Sequence, residues 1–346
     1  MSNEDKLNDT LIELSKQCLL TQRDENAFIC SVAVEAAFEA LTLFSKTLNN
    51  KLNQNKSFQF YNYFLLNQNS IESFDHDLNE KTSKYFNTEF HQYVLTDVEE
   101  RKIMLNKLFN HFSDQTFQFS QKFLSQITTE SVALITCSSL IFRPLKSTDW
   151  EELWSLKFHS NLHLTNETKF YFTKGLFRIA FHETFQKVEI PGEVYHGIPM
   201  KLIILLPRCS SDLVHLYANL NEYIHLPFSL AFISVCIPNI SMTIEMNISE
   251  SLKNFRDLFN FTNIIKQNEN THLSAAYSLG RFVLDMTTDG IKQPSIPCVH
   301  SIELSPVIPW VFFANRPFVF IVTYGEHYLY IGQMSGPKIP SSAKIF

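Results

Sequence analysis

Near the start of the chain, apolar residues recur at helical spacing. Leu7, Leu11, Leu14 and Cys18 share one face of residues 4–20 while the rest is polar, which predicts an amphipathic surface helix. Residues 31–44 are apolar almost all round, broken mainly by Glu35 and Glu39, so a largely buried helix with a narrow solvent-facing strip is predicted. Thr96-Asp-Val-Glu99 has the spacing of a capping box. It predicts a helix running to Phe112, with Val98, Leu105, Leu108, Phe109 and Phe112 on the face that lies on a sheet.

Further along, the pattern becomes that of strands. Phe58 to Leu66, Val132 to Thr136, Lys201 to Leu206, Phe228 to Ile237 and Leu279 to Met286 read as strands, several apolar on both faces and therefore interior. Pro317 to Val322 and Tyr328 to Ile331 flank the turn Thr323-Tyr-Gly-Glu-His327 and predict a C-terminal hairpin. The first proline is Pro144 and the first glycine Gly175. Residues 1–125 should therefore be rich in helices ended by polar caps, and residues 126–346 rich in strands and turns. Helices followed by strands predict the α+β class.

Between Met286 and Pro317 the pattern lapses. Pro294, Pro297, Pro306 and Pro309 each fix φ and remove a backbone donor, so residues 287–311 should form an extended loop over the surface. Loops this long usually serve binding or presentation, although a tolerated insertion has the same appearance.

Composition narrows the function. The 346 residues are ample for a core, and a net charge of −6 with scattered Lys and Arg gives no basic stripe for nucleic acid or an anionic membrane. No apolar run approaches the roughly 20 residues of a membrane span, and the polar, acidic N-terminus lacks a secretory signal. Cys18, Cys30, Cys137, Cys209, Cys236 and Cys298 show no CxxC spacing, and most have apolar neighbours. They read as small buried hydrophobes in a reducing compartment, which predicts a cytoplasmic protein. The 32 phenylalanines are spread along the chain, as core residues are.

Catalytic signatures are lacking. There is no GxGxxG, phosphate loop, GxSxG or HExxH, and His182-Glu-Thr-Phe-Gln lacks the second histidine that a zinc site requires. His159 and His163 would converge on a metal only in a helix, whereas Leu156 to Leu164 reads as strand and turn. Glu35 and Glu39 have no indicated partner for acid–base work, and Asp75-His76-Asp77 reads as a solvated loop. No enzyme activity, metal or cofactor is expected.

Several segments together resemble the serpin family of protease inhibitors. Phe312-Phe-Ala-Asn-Arg-Pro-Phe-Val-Phe-Ile-Val322, then Leu329-Tyr-Ile-Gly332 and Pro337, look like the signature that follows a serpin's reactive loop. Val188-Glu-Ile-Pro191 with Met200 to Pro207 resembles a pair of central strands. Cys236-Ile-Pro-Asn-Ile240 with Ser251 to Phe259 is similar to the strand and short helix before the loop, and Glu25 to Ser31 to the entry of the second helix. The resemblance covers nearly the whole chain. It implies a single domain over 1–346, with three mostly antiparallel or mixed β-sheets, about eight surrounding helices and an exposed reactive-centre-type loop near the C-terminus.

A serpin presents a bait loop which, once cleaved, inserts as a new central strand of the main sheet and traps the protease. Inhibitory members have a hinge glycine followed by threonine or serine and a run of alanines. Gly290 matches the hinge glycine, but Ile291-Lys-Gln-Pro-Ser-Ile-Pro297 follows it. Ile291 is bulky, Gln293 carries an amide that needs partners, and Pro294 and Pro297 each remove a donor where a central strand excludes proline. Each unpaired buried group costs about 1–3 kcal/mol. Ser138 stands where the family has a strand asparagine, Gly280 where it has a histidine, and Val32 where it has a proline after Ser31. The family's tryptophan soon after Phe142 is displaced to Trp150, and the chain after Ser45 is shorter than the family pattern.

The resemblance therefore implies a monomeric serpin-like protein that does not use the insertion trap and meets another protein through its loop, or has little activity. The alternative is a working intracellular inhibitor of a chymotrypsin-like or cathepsin-like protease. Counting from Gly290 puts the scissile bond near Leu304-Ser305, and counting back from Pro317 puts it near Pro306.

Overall fold

The structure, a computed structural model, describes residues 3–22, 25–42, 57–67, 76–93, 99–100, 102–103, 105, 132–145, 150–160, 165–209, 212–252, 273, 275–286 and 310–336. Its strands are β1 (Ala27–Cys30), β2 (Phe58–Asn67), β3 (Thr88–Tyr93), β4 (Val132–Phe142), β5 (Glu151–His159), β6 (Thr165–Phe181) and β7 (Phe185–Tyr195). They continue with β8 (Ile198–Pro207), β9 (Ser229–Pro238), β10 (Ser241–Asn247), β11 (Ala275–Leu284), β12 (Trp310–Phe313), β13 (Phe318–Tyr324) and β14 (His327–Met334). The helices are α1 (Asn3–Thr21), α2 (Ser31–Thr42), α3 (His76–Phe86), α4 (Asp212–Ala218), α5 (Leu220–Ile224) and α6 (Ser249–Leu252). The chain forms two compact units, one of residues 1–31, 140–242 and 281–346, the other of residues 32–139 and 243–280.

The first unit is built on a nine-stranded sheet in the order β1-β14-β13-β8-β7-β6-β9-β12, with β5 also paired to β6. β6 pairs with β5 and β9 along most of its length and with β7 at Arg178 to Phe181, which makes one continuous ladder. Every residue of β13 is buried, as expected of a strand apolar on both faces. The predicted hairpin forms, with Gly325 at φ +62° in its turn. Gly332 lies opposite both Phe28 and Phe320, where a Cβ would come within 2.5 Å of each. In α1, Leu11, Leu14 and Cys18 are buried as their spacing predicts. Ser15 is also buried, and its hydroxyl donates to the Leu11 carbonyl at 2.8 Å. The helix lies against β14, α4 and α5. Gln333 ties these pieces together: its amide accepts from the Tyr217 hydroxyl and donates to the carbonyls of Gln22 and Glu25.

The second unit holds a five-stranded sheet in the order β10-β11-β4-β2-β3. β10 alternates exposed and buried residues, whereas β4 is buried almost throughout and β11 is buried from Ala275 to Gly280. β2 and β3 are parallel, and their partners Phe64 and Phe90 stack at 4.8 Å between ring centroids. Asn62 is buried and donates to the Ala33 carbonyl at 2.7 Å and to Thr88 Oγ1 at 3.2 Å. Asn79 on α3 accepts from the Phe90 N–H and donates to its carbonyl, which fixes that helix against β3.

The α+β class and the predicted strands are present, with β4 extending six residues beyond Thr136, to Phe142. Two expectations change. His76 and Asp77 open helix α3 instead of lying in a solvated loop. Trp310 and Val311, expected in the loop, belong to β12, because the β9 edge supplies hydrogen-bond partners that periodicity cannot reveal. The buried helix from Ser31 is helical through Thr42, and Leu43 and Phe44 lie outside the described residues. Of the helix expected over 96–112, Glu99, Glu100, Lys102, Ile103 and Leu105 are helical, and the remainder lies outside the described residues. Among the described residues, no helix is long and apolar enough to cross a membrane.

Candidate functional site

β4 and β11 are neighbours in the five-stranded sheet, and the Thr136 hydroxyl donates to the Tyr277 carbonyl at 3.3 Å. Ser138 on β4 is buried, and among the described residues its Oγ has no hydrogen-bond partner. Gly280 on β11 offers no side chain. In the other unit, Ser31 Oγ is likewise buried and unpartnered. These positions carry hydroxyls or nothing, and the hydroxyls make no hydrogen bonds among the described residues.

The chain leaving β11 is held firmly. Leu284 N–H donates to the Ile240 carbonyl at 2.8 Å and Asp285 N–H to the Phe142 carbonyl at 2.9 Å. The Asp285 carboxylate accepts from Arg143 Nε at 3.0 Å, and Glu193 lies 4.0 Å from the same guanidinium. Met286 is buried. On the far side of the loop, β12 runs parallel to β9 with Trp310 opposite Ile233, and Ala314 N–H donates to the Cys236 carbonyl at 2.9 Å. Both ends of the loop are thus anchored in the first unit. The hinge residues Gly290, Ile291, Gln293, Pro294 and Pro297, and the candidate scissile residues Leu304, Ser305 and Pro306, lie outside the described residues.

His159 is an exposed residue of β5, and His163 lies outside the described residues. His182 occupies the turn between β6 and β7, with Nδ1 2.9 Å from Thr184 Oγ1 and its ring against Phe185 and Tyr223. Among the described residues, no three His, Cys, Asp or Glu side chains are placed to hold a metal ion. Cys18, Cys30, Cys137 and Cys236 are buried, whereas Cys209 is exposed. Trp150 is buried, and its Nε1 has no partner among the described residues.

Lys187 is the feature that periodicity missed. It is fully buried on β7, where its ammonium donates to the carbonyls of Tyr223, Ile224 and Leu226 and lies 4.1 Å from the centre of the Phe228 ring. Burial pushes its pKa down to about 8, against the pull of the Glu189 carboxylate. In the sequence, a lysine alternating with apolar residues reads as a solvated position; only the fold brings the carbonyls at the end of α5 to it.

The family model for Serpin (serine protease inhibitor) matches residues 41–337. The chain belongs to the serpin family. Among solved structures, it is similar to native protease nexin-1 with heparin, at 16% identity and a TM-score of 0.72 over 96% of this chain and 98% of that one. Mouse protein-Z dependent protease inhibitor matches at 14% identity and 0.74, covering 96% and 97%. Human thyroxine-binding globulin complexed with thyroxine matches at 13% identity and 0.71, covering 96% and 98%. At these identities the likeness establishes the serpin fold. A comparison with curated protein sequences finds no match.

Proposed function

We propose that this chain is a single-domain serpin, acting without catalysis, that does not trap a protease by inserting its loop, and that any partner is met by a loop remaining outside the sheet. The observation that carries this reading is the hinge, where Ile291, Gln293, Pro294 and Pro297 stand in place of small residues. A strand entering between β4 and β11 would need a donor at alternate positions on each side, and the two prolines supply none. The hydroxyl of Ser138, unpartnered among the described residues, and the bare backbone of Gly280 support it, because these two positions offer no side-chain hydrogen bond to exchange as the sheet opens. The partner on this reading is a protein, either a serine or cysteine protease that binds without being trapped or a non-protease.

Incubation with a panel of chymotrypsin-like and cathepsin-like proteases tests it. Cleavage around Leu304 to Pro306 without a complex that survives boiling in detergent is the expected result. A covalent complex would establish the alternative of a working inhibitor.

A further inference from the structure

β3 closes one side of the five-stranded sheet, and among the described residues no further strand lies beside it. The Asn62 N–H donates to the Asn87 carbonyl at 2.8 Å, and the parallel register runs on from Asn62↔Thr88 to Asn67↔Tyr93. Alternate residues of such a ladder turn their backbone groups to the neighbouring strand, so Glu89, His91 and Tyr93 face β2 while Thr88, Phe90 and Gln92 point theirs at the outer edge. An edge of this kind is a template for another strand. At Phe90 it is taken by a side chain: Asn79 Oδ1 accepts from the Phe90 N–H at 2.8 Å and Asn79 Nδ2 donates to the Phe90 carbonyl at 3.2 Å. These are the two bonds that a residue directly opposite on an antiparallel strand would make. Asparagine is a poor helix residue because its amide competes for backbone groups, yet here it is the fourth residue of α3. Ser83 holds the same helix to the strand by donating to Glu89 Oε1 at 3.1 Å, and Asn87, at φ +47°, is the one residue between them.

We infer that Asn79 is a plug on an interaction edge: its amide stands in for the backbone of a strand, and the strand it keeps out is β3 of a second copy of this chain. The choice of occupant rests on register. A two-fold antiparallel pair of β3 strands can be centred on Glu89, on Phe90 or on His91. Centring on Glu89 opposes two carboxylates and centring on His91 opposes two imidazoles, whereas centring on Phe90 sets Glu89 of each copy against His91 of the other. Glu89 and His91 already lie 2.9 Å apart within one chain, so the Phe90-centred pair joins two such pairs with unlike groups alternating. It is also the register in which the two Phe90 residues exchange the very bonds that Asn79 makes in the monomer. The plug and the side-chain pairing thus select the same residue. Asn79 is eleven positions from Phe90, and a group tethered so closely competes at an effective concentration in the millimolar range. The edge is therefore shut in the monomer, and it opens only when α3 is drawn away from β3.

Sedimentation velocity of the full chain, from low to high micromolar concentration, tests this. Wild type should stay monomeric throughout, whereas Asn79→Ala should form a dimer whose share grows with concentration. Amide hydrogen exchange reads the edge itself: the Phe90 N–H should exchange about tenfold faster in dilute Asn79→Ala than in wild type, and slow again as the dimer forms. In the Asn79→Ala background, His91→Glu should weaken the dimer about tenfold by opposing carboxylates across the pair, and adding Glu89→Arg should restore it. Circular dichroism and melting show whether each variant is folded. If Asn79→Ala does not fold, Asn79→Asp decides, because it keeps an acceptor for the Phe90 N–H while uncovering the carbonyl, and it should dimerise where wild type does not. A folded variant that stays monomeric, a wild type that dimerises equally, or a dimer indifferent to the exchange of charge at Glu89 and His91 would overturn the assignment. So would open-ended aggregation without a dimer, since a two-fold pair closes on itself.

Discussion

The ammonium of Lys187 donates to the carbonyl of Ile224 at 2.6 Å, joining the interior of β7 to the last residue of α5. Two further carbonyls, of Tyr223 and Leu226, accept from the same nitrogen, so one buried charge closes the end of the helix, where Tyr223 also accepts from the Leu226 N–H. Lys187→Met should remove the side-chain donor from the Ile224 and Leu226 carbonyls, while Tyr223 keeps the Leu226 N–H, and lower stability by roughly 3 kcal/mol in urea unfolding. A loss within error would show that the carbonyls find other donors.

The same lysine gives stability a pH dependence of predictable sign. Its pKa is lowered to about 8 from an ordinary 10.5. Between these values the unfolded chain keeps a proton that the folded chain has released, so the lysine's contribution to stability rises with pH across the window. Cys236 works in the opposite direction: burial pushes its thiol up to about 12 from 9.0, so the unfolded thiol ionises first and stability falls above pH 9. The difference between wild type and Lys187→Met cancels the cysteine. It should grow from pH 7.5 to pH 9.5, and a flat difference would refute the lowered pKa.

Gly332→Ala should be far more damaging than an added methyl suggests. Its Cβ would lie 2.5 Å from Phe28 and Phe320 and 2.7 Å from the Ala27 carbonyl, with strands on both sides. Overpacking of this kind costs about 1–3 kcal/mol or more. Loss of soluble expression, or a melting temperature several degrees lower, is the expected outcome.

Ser138→Ala should be neutral or stabilising by up to about 1 kcal/mol, because a buried hydroxyl without a partner is desolvated for no return. A clear loss of stability would mean that Ser138 has a partner after all.

If the hinge sequence is what prevents insertion, then Ile291→Thr, Gln293→Ala, Pro294→Ala and Pro297→Ala combined should permit it. Nicking the wild-type loop should change the melting temperature little, whereas nicking the combined variant should raise it markedly. Equal behaviour of the two would place the obstacle elsewhere, for instance at Ser138 and Gly280.

Much of this architecture was legible in the chain. The all-buried β13, the hairpin around Gly325 and the buried face of α1 follow from local period and turn chemistry, which depend on neighbours in sequence. The short strand β3, the 17-residue β6 and the assignment of Trp310 and Val311 to β12 were not legible, since their hydrogen bonds are made with distant partners. Of the candidate site, sequence supplies the hinge chemistry, and the structure supplies its anchors: Asp285 held by Arg143 before the loop and Trp310 paired to β9 after it.

Residue identity alone thus determined the family pattern, the α+β class and the conflict between Pro294, Pro297 and a central strand, because proline's missing donor is a property of the residue in any fold. Tertiary structure alone decided that Lys187 is buried in a ring of carbonyls and that Leu176, Leu230, Phe232 and Val311 form one exposed face. Both depend on which strands lie side by side and which helix ends above them, and no local period encodes that.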